Sequence, residues 1–126
     1  MEAKDPAGWE VDFFKEEDGT LPVRNWMLGL AKEVRAKLIA RVQMLREYGP
    51  SLDFPFSSQI KGKLRELRLR LGKTRFRVLY FFDERRVCIL LHGFTKNTEK
   101  VPPPEVRLAS IRMKAHESRL GRLMQN

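Results

Sequence analysis

The sequence predicts an α+β fold: a twisted antiparallel sheet, made of an N-terminal strand and a three-stranded meander, packed against an N-terminal helix pair and followed by a C-terminal helix. Three observations predict it. Apolar residues recur at helical spacing between residues 22 and 48, change to a period of two between residues 64 and 82, and resume helical spacing after the prolines at 102–104. At 126 residues the chain has the size of one hydrophobic core. The expected organisation is a single domain over residues 1–117 and a basic, flexible tail over residues 118–126.

Each element has its own local reason. Trp9-Glu10-Val11-Asp12-Phe13 alternates apolar and acidic residues, the pattern of a half-buried strand, and Glu17-Asp18-Gly19 ends it. Thr20 is suited to cap a helix entered through Pro22, with Val23, Trp26, Met27 and Leu30 on one face. Lys32 to Tyr48 makes a second helix, its stripe being Val34, Leu38, Val42 and Leu45 and its stop Gly49-Pro50. Ser51 to Ser58, with Pro55 and no helical period, reads as a loop. From Leu64 to Leu71, Leu67, Leu69 and Leu71 share one face while Glu66, Arg68 and Arg70 share the other. Gly72-Lys73 turns the chain into a strand with Arg75 and Arg77 on one side and Phe76, Val78 and Tyr80 on the other. Val87 to Phe94 is apolar on both faces and should be the most buried element. A third helix follows Pro104, marked by Val106, Ala109 and Met113.

Composition removes several function classes. No apolar run approaches the roughly 18 residues that cross a bilayer, and Met1 to Asp5 lacks the basic start of a secretory signal, so the expected compartment is the cytoplasm, with no membrane partner. One cysteine, Cys88, and two histidines, His92 and His116, make neither a disulfide nor a zinc-ligand spacing, so no metal site is expected. Gly62-Lys63 lacks the upstream glycine of a nucleotide-binding loop. Cys88 lies within an apolar strand, where a thiol is a small buried hydrophobe rather than a nucleophile.

Charge is the informative residue of that elimination. The net charge is +9, and residues 61–100 hold 12 Lys and Arg against 4 Asp and Glu, whereas residues 1–60 hold 8 against 10. A field so localised attracts a polyanion, nucleic acid first. Strand alternation gathers Arg68, Arg70, Arg75 and Arg77 on one sheet face, with Lys96 just beyond the next strand. Guanidinium groups hold phosphate oxygens in pairs and stay charged, which suits a developing phosphorane better than proton abstraction. For proton transfer the sequence leaves Lys96, Lys100, His92 and Glu66 open.

Several stretches together resemble the RelE/ParE toxin superfamily, in particular its HigB-like, phage-derived branch: LRELRLRL at 64–71, FRVLYFF at 76–82, LLHGFTKNTEK at 90–100, and Pro102-Pro103-Pro104-Glu105-Val106 opening a helix. The resemblance covers residues 9–116 and implies a RelE-like α+β fold, a toxin of a type II toxin–antitoxin system, and ribosome-dependent cleavage of messenger RNA without metal or organic cofactor. It also implies a cognate helix-turn-helix antitoxin of the HigA kind. By the same resemblance Arg68 and Arg70 match the basic pair of the second strand, Arg77 the arginine at the scissile phosphate, and Lys96 the basic residue after the last strand. His92 completes the expected catalytic set, and Lys61, Lys63, Arg75 and Lys100 are the expected RNA contacts. Some ribonuclease members carry a tyrosine shortly after the basic residue; this chain has Pro102. The alternatives are a ParE-like toxin that inhibits gyrase and a non-catalytic RNA-binding module.

Overall fold

The switch from helical to two-residue periodicity marks the boundary between two helices and a continuous run of strands in the computed structural model, which describes residues 8–125. In chain order these elements are β1 (Val11–Phe13), α1 (Pro22–Leu28), α2 (Lys32–Tyr48), β2 (Ser57–Lys61), β3 (Leu64–Leu71), β4 (Thr74–Phe82), β5 (Cys88–Lys96) and α3 (Pro103–Met124). The sheet order is β1-β5-β4-β3-β2, with β2 to β5 an antiparallel meander. The fold class is therefore α+β, as the alternation and helical spacing predict.

Four details depart from the expectation. β1 lies parallel to β5, not antiparallel, so the sheet is mixed. A parallel neighbour needs a crossover, and α1 and α2 intervene before the chain returns to the sheet. Ser57–Lys61 is a fifth strand within what reads as a polar loop and turn; it pairs with Leu64 to Leu67 of β3 and carries a bulge at Ile60. α3 continues to Met124 with Leu120 buried, where a frayed tail was expected from Ser118. Thr20 does not cap α1: the capping position is Leu21, and the Thr20 amide instead donates to Asp18 Oδ1 at 2.9 Å. Residues 1–7, which include the segment read as lacking a signal, and Asn126 at the end of the expected tail lie outside the described residues. No helix among those described is long and apolar enough to cross a membrane.

Strand alternation divides the interior into two layers. On one face Leu67, Leu69, Phe76, Val78, Tyr80 and Leu90 meet Val23 and Met27 of α1 and Leu38 and Leu45 of α2, with Trp26 and Val42 packed against them. On the other face Leu64, Leu79, Phe81, Ile89 and Leu91 meet Ala109, Val106 and Met113 of α3. β5 is thus covered from both sides, as its apolar run requires. Close approach of α1 depends on Gly93, opposite Val78 in β4: a Cβ there would run into the Trp26 indole.

The β4–β5 turn is tied to α3 by Asp83. Its Oδ1 accepts the Arg85 and Val87 amides at 2.9 and 3.2 Å, and its Oδ2 accepts the Arg85 guanidinium at 2.7 Å and His116 Nε2 at 2.9 Å. Burial alone would raise the Asp83 carboxyl, but the bonds from Arg85, His116 and Val87 outweigh it and hold it below the ordinary carboxylate range.

Two predictions follow from this packing. Gly93→Ala should lower unfolding stability by about 1–3 kcal/mol, the cost of overfilling a closed contact, read from urea midpoints. A carboxyl with a depressed folded pKa contributes stability that is complete above its unfolded value, about 3.9, and is lost as pH falls through the folded value. The stability gap between the parent and Asp83→Asn should therefore be full near pH 6 and shrink in acid below about pH 4; a constant gap down to about pH 2 contradicts it.

Candidate active site

The arginine face becomes a site because two coverings stop short. β2 pairs only with Leu64 to Leu67, so the edge of β3 beyond Arg68 is left without a strand. α3 packs over the Leu79 and Phe81 part of its face, away from the paired residues Arg70, Arg75 and Lys96. Register sets Arg68 opposite Arg77, Arg70 opposite Arg75, and Arg75 opposite Lys96, so all five cations share one side. Arg41 reaches across from α2, and its Nε donates to the Arg68 carbonyl at 2.9 Å where no strand does so.

A cavity of about 230 Å³ lies there, lined by Arg41, Pro55, Phe56, Arg68, Arg70, Arg75, Arg77 and Glu99. Arg77 is 1% exposed and Glu66, beside it, 4%. Arg77 Nε stands 3.0 Å from Glu66 Oε1, an ion pair withdrawn from solvent. The other Glu66 oxygen accepts Arg68 Nη1 at 2.9 Å and Ser58 Oγ at 2.6 Å. Arg77 Nη1 donates to the carbonyls of Phe76 and Leu69 at 3.1 and 3.4 Å. Burial lowers the Arg77 pKa and Glu66 opposes the shift; a guanidinium stays charged regardless. The result is a fixed cation whose direction is set by its surroundings.

Lys96 is nearly buried, and its Nζ donates to the Glu99 carbonyl. Burial, then repulsion from Arg77, lowers its pKa, with Glu66 partly offsetting both. The Glu99 carboxylate meets Arg75 Nη2 at 2.5 Å, and Arg75 Nη1 donates to the Asn97 carbonyl at 2.9 Å. Glu99 is thus an acid at the mouth of a cationic cavity.

Of the residues singled out in the sequence, Arg68, Arg70, Arg75 and Arg77 line the cavity and Lys96 adjoins them. His92 does not line it. Its Nε2 bonds to Glu105 of α3, its ring stacks on Phe94 with centroids 5.4 Å apart, and Arg112 Nη1 lies 3.4 Å from Nδ1. Lys61 is exposed on the outer strand, and Lys63, in the β2–β3 turn, pairs with Glu117 of α3. Neither lines the cavity. Lys100 is exposed beside Glu99. Sequence reasoning missed Arg41, Pro55, Phe56 and Glu99, and gave no weight to how deeply Glu66 is buried. A larger cavity of about 620 Å³, between the segment after β1 and α3, mixes Glu16, Glu17 and Asp18 with Arg119 and Arg122, and none of the predicted residues lines it.

Comparison with known proteins agrees with the resemblance. A family model described as phage derived protein Gp49-like matches residues 25–114, a span that contains every residue lining the arginine cavity. The chain is 29% identical over 97 residues to a Mycobacterium tuberculosis (strain H37Rv) protein named "Putative toxin HigB2", covering 73% of this chain and 45% of that protein. The match thus spans less than half the length of this relative. With most of its strands and all of its cavity inside the matched region, the chain belongs to the phage-derived Gp49-like family.

Proposed function

We propose that this chain is the toxin of a toxin–antitoxin pair and that it cleaves messenger RNA on the ribosome, in the cytoplasm, with its own cations as the electrostatic machinery. The observation that carries the reading is the cavity of five arginines built around the buried Glu66–Arg77 pair. The likeness to a relative with a toxin's name supports the biological half of it. In the reaction, a ribose 2′-oxygen forms a bond to the adjacent phosphorus as the bond to the 5′-oxygen breaks, leaving a 2′,3′-cyclic phosphate and a 5′-hydroxyl end. Charge builds on the phosphorane oxygens, and cations fixed beforehand stabilise it without reorganising.

Two protons move. Glu66, the carboxylate that pairs with Arg68 and Arg77, is the acceptor assigned to the 2′-hydroxyl proton. Lys96, whose lowered pKa brings its ammonium closer to proton release, is the donor assigned to the departing 5′-oxygen. No tyrosine is needed at the position of Pro102 in this scheme. The partner that occludes the cavity is a cognate antitoxin of the helix-turn-helix kind, presenting acidic groups where phosphate would lie.

Single-turnover cleavage on programmed ribosomes tests the assignment. Arg77→Lys keeps the buried charge but loses the guanidinium fork, and should cut about 100-fold more slowly while remaining folded by circular dichroism. Arg77→Ala, by contrast, leaves the Glu66 carboxylate buried beside a void and should cost about 3–5 kcal/mol of stability. Cleavage by Arg77→Lys at the parental rate refutes the reading. Intact RNA together with gyrase trapped on DNA installs the ParE-like one.

The pH profile tests Lys96. A donor must be protonated, so the parental rate should fall as pH rises through the lowered Lys96 pKa, beginning below the ordinary lysine value of about 10.4. Lys96→Arg should remove that alkaline limb together with most of the rate. An unchanged limb in this variant removes Lys96 from the mechanism.

A further inference from the structure

Phe54 is 68% exposed, an unusual position for a phenylalanine that belongs to neither core layer. It stands in the segment between α2 and β2, immediately before Pro55 and Phe56, both of which line the arginine cavity. The guanidinium of Arg68 lies over its ring, 4.9 Å from the centroid. Arg68 also lines the cavity and is anchored on its other side by Glu66 Oε2. Phe56 repeats the arrangement one step inward, with the Arg41 guanidinium 5.1 Å from its ring centroid. Two aromatic–arginine stacks therefore border one small cationic cavity, and the outer ring remains largely in solvent.

That juxtaposition has a chemical meaning. A nucleotide is a flat π-face tethered to a phosphate, and unpaired bases in RNA are commonly taken up on aromatic rings and arginine planes. A protein partner would ask for something else, a contiguous apolar patch. The other large exposed apolar side chains, Leu28, Ile39, Ile111, Leu123 and Met124, belong to the helices, and the immediate neighbour of Phe54 is the exposed acid Asp53.

We propose that Phe54 is a stacking platform for an unpaired RNA base, so that cavity and ring together take one nucleotide of a single strand, phosphate among the arginines and base on the ring. This rests on the reading of the cavity as a phosphate site. Phe54 makes no demand on base identity, because every base has a π-face; its contribution is to hold the strand with a base turned out of its stack.

Fluorescence anisotropy with a short labelled single-stranded RNA, and with the same RNA carrying an abasic site at each position in turn, tests the platform. The parent should bind the intact RNA about five- to hundredfold more tightly than one of the abasic versions. Phe54→Ala should lose that discrimination, weakening the intact RNA to the level of the abasic one, while Phe54→Trp should keep it. The melting temperature of both variants should stay near that of the parent, because the ring is in solvent. Arg70→Ala should weaken intact and abasic RNA alike. If Phe54→Ala discriminates as the parent does while Arg70→Ala weakens both RNAs, the platform is overturned and the phosphate site stands. If Phe54→Ala leaves RNA binding untouched and weakens only the antitoxin complex, the ring is a protein contact and the proposal is overturned. If Arg70→Ala changes neither RNA, the phosphate reading itself falls.

Discussion

A guanidinium withdrawn from water within a sheet face persists only beside a carboxylate, and in the β3–β4 hairpin the only carboxylate available to Arg77 is Glu66. That single pairing ties strand register to charge placement. With Glu66 beside Arg77, Arg68 falls opposite Arg77 and Arg70 opposite Arg75, and the leucines of β3 turn toward α1 and α2. A one-residue slip of β3 would drive Glu66, Arg68 and Arg70 into the apolar layer and expose the leucines. Both atoms of the contact, Arg77 Nε and Glu66 Oε1, are withdrawn from solvent.

The cavity follows from incomplete coverage rather than from any loop built for the purpose. The three long strands of the meander, β3, β4 and β5, extend beyond the helix or neighbour laid on them, and the overhang is where the cations stand. β3 outruns β2 after Leu67, β4 and β5 outrun α3, and the segment after Lys96 folds back with Glu99 on Arg75. Strands thus present four of the five arginines and α2 the fifth, Arg41, while Pro55, Phe56 and the acid at the mouth sit on connecting segments. Charges held this way lose little freedom when a phosphate arrives, which is the property that electrostatic catalysis exploits.

Local patterning revealed the parts of this arrangement that depend on one strand at a time. The period of two in β3 and β4 was enough to assign Arg68, Arg70, Arg75 and Arg77 to one face, and the apolar run of β5 announced its burial on both sides. What came from other elements was not legible. Arg41 lies on a helix with nothing in its spacing to say that it crosses to the Arg68 carbonyl, and Glu99 is one acid in a polar loop. β2 was hidden because an edge strand of Ser57-Ser58-Gln59-Ile60-Lys61 has no apolar alternation to show. Leu120, seven residues beyond Met113, did carry a helical signal, and the surrounding basic residues obscured it. His92 looked available because sequence does not display its partners: Glu105 and Arg112 arrive from a helix folded back over β5.

The shape of β2 has a further consequence, for how copies of the chain behave toward one another. A sheet with two open sides offers its unpaired amides and carbonyls as a template for foreign backbone. Here one side ends in the three residues of β1, too short to guide a strand, and the other in β2, whose bulge at Ile60 breaks the ladder next to the exposed Lys61. The bulge in β2 is thus a guard against edge-to-edge stacking. A second copy of the chain therefore finds no regular ladder along β2 to extend.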